Sequence, residues 1–298
     1  MPLAQQRSTL ATPFAMEGTT PAVGAEISGI DLSASLDDTT VVALRAALVD
    51  RGVLFFRDQP ITPDQHVAFA RRFGHVPRVP DSMFRTHPDN AFVSVLENDA
   101  ERPPTVNNWH SDYSFAAEPD FASVLHAVVV PPAGGDTLWV GMATAYDGLS
   151  DRMKAHLDGL TATHDFMKLY ERPVKKPLWQ GERGRLMEVA RQEFPPVSHP
   201  VVRVHPETGR KVLFVNESFT RHIDGLSDGE SRALLGYLFD HLKSPEYQVR
   251  FRWAPDSLVM WDNRATLHYA VADYHPAHRL MHRVTVLERP RLDEPENA

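Results

Sequence analysis

The residues that first suggest chemistry are His110 and Asp112, in the stretch Asn107-Asn108-Trp109-His110-Ser111-Asp112-Tyr113-Ser114-Phe115. The flanking aromatics favour an extended chain, in which residues i and i+2 point to the same side. An imidazole nitrogen and a carboxylate oxygen would then converge on one point as two ligands of a metal. A His-x-Asp tripeptide also arises by chance as a hydrogen-bonded surface pair, so a third ligand has to come from elsewhere. His268 lies far downstream in Trp261-Asp262-Asn263-Arg264-Ala265-Thr266-Leu267-His268-Tyr269-Ala270, directly after a run that reads as a strand. Two histidines and one carboxylate leave the opposite positions open, which suits Fe(II) that must also bind a chelating co-substrate and dioxygen. A packed turn histidine is the plain alternative for His268. A zinc-dependent hydrolase could use the same three side chains.

Arg279 and Arg283 follow His268. If the strand expected over 281–287 begins slightly early, Arg279, Met281 and Arg283 share one face. Two guanidiniums pointing into a barrel are costly to bury unless anions pair with them. Bidentate carboxylate-type ligands would explain both, and internal pairing with Asp or Glu is the alternative. The zinc reading gives Arg279 no purpose. A non-catalytic anion-binding barrel gives none to His110, Asp112 and His268 together.

The elements that must position these groups read as mainly β with flanking helices. The chain has 298 residues and an ordinary globular balance of 42% hydrophobic and 23% charged residues. Short strands broken by Pro, Gly and Asn are expected over 91–96, 121–130, 138–140, 160–164, 201–204, 212–215, 247–253, 257–261 and 281–287, a pattern of sandwiches and jelly-roll barrels. A further short strand with turns is expected within 22–32, and 53–56 reads as a buried strand. Helices are expected after Asp37-Asp38, after Thr62-Pro63 as far as about Phe73, and after Ser227, where Glu230 completes a capping box. One domain over 21–292 is expected. A flexible arm over 1–20 precedes it, a tail over 293–298 follows it, and a lid-like insertion rich in Lys, Arg, Glu and Pro covers 170–198.

Composition removes several functions. The formal charge of −8 does not advertise nucleic acid or an anionic membrane as partner, so an anionic substrate must be held by local positive charge. Cysteine is absent, which excludes disulfides, zinc-thiolate sites, iron–sulfur clusters and thiol nucleophiles, while fifteen histidines make a nitrogen-and-oxygen site easy to build. No membrane span or apolar signal core is evident, so a cytoplasmic enzyme, expected to form a homo-oligomer, is the default.

His110-Ser111-Asp112, Gly134-Gly135-Asp136-Thr137-Leu138-Trp139 and the run from Trp261 to Val286 resemble the taurine dioxygenase family of Fe(II)- and 2-oxoglutarate-dependent oxygenases. The similarity runs from Gly24 to about Pro290. It implies a double-stranded β-helix, or jelly-roll, core with helices outside it. It also implies that His110, Asp112 and His268 bind Fe(II), and that Arg279 and Thr137 hold the distal carboxylate of 2-oxoglutarate. The implied reaction uses O2, converts 2-oxoglutarate to succinate and CO2, and hydroxylates a substrate carbon. Where that carbon bears a sulfonate, sulfate or ether oxygen, the product collapses and the molecule is cleaved.

The same resemblance places Arg283 on the substrate's anionic head group and Tyr170 and Phe219 around its body. The departures are informative. Val79 stands where taurine-specific members carry a sulfonate-holding histidine, Val106 replaces an amine-holding asparagine, and Ser82 replaces a nearby tyrosine. Apolar replacements disfavour a charged amine, which would lose its partners on burial. A small organic anion with a less polar tail is therefore expected, first an alkyl sulfate or alkanesulfonate. The Val-Pro after the Phe-Gly turn resembles phenoxypropionate dioxygenases and makes an aryloxyalkanoate the second choice, with taurine third.

Overall fold

The computed structural model describes residues 13–80, 85–105, 107–171, 189 and 192–288. Its first strands, β1 (Ala15–Gly18) and β2 (Ala25–Ser28), precede helix α1 (Asp38–Arg51), β3 (Val53–Phe56) and helix α2 (Pro63–Arg71). Next come β4 (Arg85–His87), β5 (Asn90–Asn98), β6 (Ala122–Val129), β7 (Thr137–Gly141), the short helices α3 (Met142–Asp147) and α4 (Asp151–Leu157), and β8 (Thr161–His164). Strands β9 (Val197–Pro200), β10 (Val202–Val204), β11 (Lys211–Leu213) and β12 (Thr220–Ile223) lead to helix α5 (Asp228–Leu242). The chain then forms β13 (Gln248–Phe251), β14 (Leu258–Asp262), β15 (Thr266–Ala270) and β16 (Arg279–Val286).

Local chemistry explains the helix ends. The Asp37 side chain accepts from the Thr40 N–H to start α1, and Gly52, at φ +73°, ends it with its N–H on the Leu48 carbonyl. Thr62 with Gln65, and Ser227 with Glu230, form the capping boxes of α2 and α5.

The strands assemble into an eight-stranded sheet, ordered β1-β2-β3-β14-β6-β16-β5-β4, and a three-stranded sheet, β13-β7-β15. Every pairing in them is antiparallel except β2 with β3. A second three-stranded sheet, β12-β8-β9, and a two-stranded one, β10-β11, complete the described strands. The eight-stranded sheet and the β13-β7-β15 sheet face each other across a core of Phe55, Leu125, Trp139, Phe251, Trp261 and Met281. Phe55 stacks on Phe251 with centroids 4.5 Å apart and meets Trp139 edge-on at 5.6 Å. Alternate residues of the same strands, Leu54, Phe56, Val124, Leu258 and Met260, pack outward under α1 and α2. Val53-Leu54-Phe55-Phe56 is therefore a continuous apolar run because both faces of β3 are covered. This is the expected jelly-roll, with helices laid on its outer face.

Several boundaries differ from the sequence expectations. The strand β1 lies within the segment read as a loose arm: its Met16 and Glu17 pair with Ile27 and Glu26, although its side chains stay exposed. Apolar periodicity is thus absent where backbone pairing alone makes the strand. The end of the expected 170–198 insertion is ordered as β9 against β8, whereas 172–188, 190 and 191 lie outside the described residues, as do 1–12 and 293–298. Strands β4, β9, β12 and β15 and helices α3 and α4 were not expected; each is short and carries too few apolar residues for a period. Among the described residues no helix is long and apolar enough to cross a membrane.

Candidate metal centre

His110, Asp112 and His268 come together: each offers a donor atom within 4.8 Å of the others, and all three are buried. His110 makes an isolated bridge to His268, with backbone N–H to carbonyl distances of 3.0 and 2.8 Å in the two directions. His268 itself is carried by β15, paired to β7. Asp112 does not reach the site by strand alternation, as the sequence suggested. The chain leaves the bridge after His110 and turns at Asp112, and Tyr113 adopts φ +53°. A buried aromatic residue in that left-handed region is uncommon and marks a turn held by its surroundings.

The donor chemistry fits a divalent metal. The His110 Nδ1 lies 2.8 Å from the Asn108 carbonyl, which can only accept, so Nδ1 carries a proton and Nε2 is the nitrogen left to face a metal. Burial, with lesser contributions from His110 and Arg283, pushes His268 down to about 3, leaving it neutral at physiological pH. For Asp112 burial acts to raise the pKa, but Arg283, His268, His110 and the Ser123 hydroxyl together hold the carboxyl well below the usual range. The Asp112 Oδ1 lies 3.8 Å from His110 Nε2 and 3.9 Å from His268 Nε2. Arg283 Nη1 donates to the same oxygen at 3.1 Å, and Ser123 Oγ donates to Oδ2 at 2.7 Å.

Alongside lies a second feature. Arg279 and Arg283 both point inward from β16 with Met281 between them, the early strand start placing all three on one face. Arg279 is 7% exposed, its Nε lacks a hydrogen-bond partner, and among the described residues no carboxylate pairs with it. Its guanidinium carbon sits 5.9 Å from the Trp253 ring and 5.7 Å from that of Tyr274. Burial lowers its pKa, an effect that Tyr274 partly offsets. Thr137, buried at the start of β7, accepts from the Trp253 indole N–H at 3.0 Å, so its own hydroxyl proton is available to another acceptor. Gly135, at φ +73° with its N–H on Asp273 at 2.8 Å, turns the chain into β7 and leaves room for the Arg279 stem. Arg279 and Thr137 thus both lie against Trp253, a buried cation without a carboxylate partner among the described residues and a hydroxyl with a proton to donate, groups whose chemistry suits a carboxylate.

The expected substrate residues are placed unevenly. Val79 and Arg283 line one small pocket with Arg78, Phe92, Ser94 and Tyr113. Phe219 lies 6.3 Å from the His110 ring and belongs to a buried aromatic cluster with Tyr113, Phe115, Phe166 and Phe194. Ser82 and Val106 lie outside the described residues, as does the side chain of Tyr170, whose backbone is in the 3-10 turn Phe166–Glu171. The sequence reading missed Ser123, Trp253 and most of the aromatic cluster. Only the aromatic content of 113–115 signalled any of it.

The family model described as "Taurine catabolism dioxygenase TauD, TfdA family" matches residues 15–285. An alkylsulfatase of Acinetobacter baylyi is 37% identical over 265 residues, covering 89% of this chain and 82% of its own. An alpha-ketoglutarate-dependent 2,4-dichlorophenoxyacetate dioxygenase of Cupriavidus pinatubonensis is 36% identical over 283 residues, covering 90% of this chain and 96% of its own. The crystal structure of a taurine dioxygenase from Burkholderia xenovorans superposes with a TM-score of 0.77 at 37% identity, covering 92% of this chain and 89% of that one.

Proposed function

The chain belongs to the TauD, TfdA family of Fe(II)- and 2-oxoglutarate-dependent dioxygenases, and from that premise we propose that it hydroxylates a small organic anion, an alkyl sulfate or organosulfonate, with cleavage of the C–O or C–S bond. His110, Asp112 and His268 hold Fe(II), and Arg279 with Thr137 holds the distal carboxylate of 2-oxoglutarate. Bound iron supplies the activation of O2 that is coupled to decarboxylation of the co-substrate to succinate and CO2. The protein's part is to bind, orient and shield. Arg279 meets the carboxylate with a fixed fork of donors, and Arg283 faces the substrate's head group beside the apolar Val79. The observation that carries this reading is the convergence of two buried histidines and an ionised carboxylate in a fold that also buries the Arg279 guanidinium with no carboxylate partner among the described residues.

Relatives named for alkyl sulfate and sulfate-ester oxidation support the substrate class. A second reading, an aryloxyalkanoate, draws on the aromatic cluster packed beside His110 and on relatives named for phenoxy acids. Cytoplasmic residence and a homo-oligomeric state belong to the proposal as well, the latter open to light scattering. The deciding experiment is anaerobic. Fe(II) and 2-oxoglutarate should produce a weak visible charge-transfer band, which shifts on adding an alkyl sulfate and not with taurine. A shift only with a phenoxypropionate selects the second reading. Absence of the band from iron-loaded protein sinks the oxygenase proposal.

A further inference from the structure

Asp112 sits at the end of a buried hydrogen-bond chain whose direction is fixed at every link. Trp261 Nε1 donates to Asn263 Oδ1 at 2.8 Å, Asn263 Nδ2 donates to Ser123 Oγ at 3.1 Å, and Ser123 Oγ donates to Asp112 Oδ2 at 2.7 Å. An indole can only donate, so the Asn263 amide must turn its oxygen to Trp261 and its nitrogen to Ser123. The amide nitrogen can only donate, so the serine oxygen accepts there. Its single proton is left for Asp112. The chain is anchored as well as oriented. Asn263 is held through its own backbone, its carbonyl accepting from Ser111 Oγ at 2.7 Å and its N–H donating to the Phe121 carbonyl at 2.9 Å. The pairing of β14 with β6 places Trp261 opposite Ser123. Ser123, Asn263 and Trp261 are at most 1% exposed, so the chain is shielded from bulk water.

We propose that Trp261, Asn263 and Ser123 are positioning residues that restrict Asp112 to a single ligand oxygen. This rests on the dioxygenase reading above. The serine bond on Oδ2 fixes the rotation of the carboxylate, so that Oδ1, which also accepts from Arg283 Nη1 at 3.1 Å, is the oxygen turned toward both histidine Nε2 atoms. Two histidines and one carboxylate oxygen would hold a divalent iron while leaving positions open for the keto acid co-substrate and the oxidant. A carboxylate free to rotate and offer both oxygens would take one of those positions. The relay therefore acts on how many positions stay open rather than on whether metal binds.

The test compares wild type with Ser123→Ala, Trp261→Phe and Ser123→Thr, the last of which restores the donor. Mn(II) and Fe(II) affinities are measured anaerobically by titration, 2-oxoglutarate affinity from the visible band, and folding by thermal unfolding. The expected result for Ser123→Ala is metal affinity within about three-fold of wild type, with 2-oxoglutarate binding weakened ten-fold or more and a displaced band. Trp261→Phe, which frees the amide to flip, should shift in the same direction by less, and Ser123→Thr should recover toward wild type. Metal and 2-oxoglutarate affinities falling together would mean that the chain only supports the fold there, and overturns the proposal. A wild-type band that Ser123→Ala leaves unchanged overturns the relay alone. No band in the wild type overturns both the relay and the dioxygenase reading.

Discussion

Replacing Arg279 by Met should leave the metal-free protein as stable as before or make it more stable, while crippling 2-oxoglutarate binding. The substitution keeps roughly the length of the apolar stem that lies against Gly135. It removes a guanidinium that is 7% exposed, whose Nε has no hydrogen-bond partner and which no described carboxylate neutralises. Replacing buried ionic groups with packed apolar ones is commonly neutral or stabilising by about 1–4 kcal/mol, and a cation lacking its counter-ion stands at the favourable end. In a chain of this size that is a rise of a few degrees in the unfolding midpoint, roughly 2 °C per kcal/mol. With co-substrate present the sign reverses. Truncating one partner of a buried, hydrogen-bonded charge pair costs about 2–5 kcal/mol, so 2-oxoglutarate should bind from about thirty-fold to a few thousand-fold more weakly. Two assays suffice: thermal unfolding with and without Fe(II) and 2-oxoglutarate, and the 2-oxoglutarate concentration dependence of succinate formation. A metal-free variant destabilised by more than about 2 kcal/mol, with unchanged 2-oxoglutarate dependence, would refute the reasoning, because Arg279 would then be a structural cation.

Four residues along the same strand face, Arg283→Met should behave oppositely in the metal-free protein, since Arg283 already pairs with Asp112 at 3.1 Å. Loss of that partner leaves a buried carboxylate uncompensated, and destabilisation of about 3–5 kcal/mol is expected, with a larger stabilisation by Fe(II) than in wild type; an equal metal-induced shift in both proteins would contradict it. A third expectation concerns pH and lies away from the iron. Burial and the neighbouring His126 and His282 hold the His66 ring, which is 1% exposed, down to about 3. Above about pH 6.5 the ring is neutral whether the chain is folded or unfolded, and below it only the unfolded chain takes the proton until the pH nears 3. Stability should therefore fall with acidification across that window by about 1.4 kcal/mol per pH unit for this residue. His66→Phe should reduce the measured slope by about one proton in urea titrations between roughly pH 6 and 4.5, and an unaltered slope would show that the histidine titrates normally.

That His110 and Asp112 converge, and that Arg279 and Arg283 share a face, was legible in the sequence because these relations rest on side-chain type and short-range geometry. His110 and Asp112 are two residues apart, and Arg279, Met281 and Arg283 alternate along one strand, so local backbone geometry already brings them near one another. Even there the detail depended on more than spacing: Asp112 reaches the site through a turn with Tyr113 at φ +53°, a conformation that no periodicity announces. The helices with capping boxes were equally readable, whereas β1 and β4 were not, because exposed strands held by pairing alone carry no apolar alternation. Ser123 marks the boundary of what sequence reading can reach. A serine inside the apolar strand β6 has no distinguishing neighbours, and its meaning comes from the register that sets it opposite Trp261 and from a donor-only indole two hydrogen bonds away. Those relations join residues far apart in the chain. The candidate ligands of such a site can be read from the sequence, but the groups hydrogen-bonded to them become visible only when the sheet is assembled.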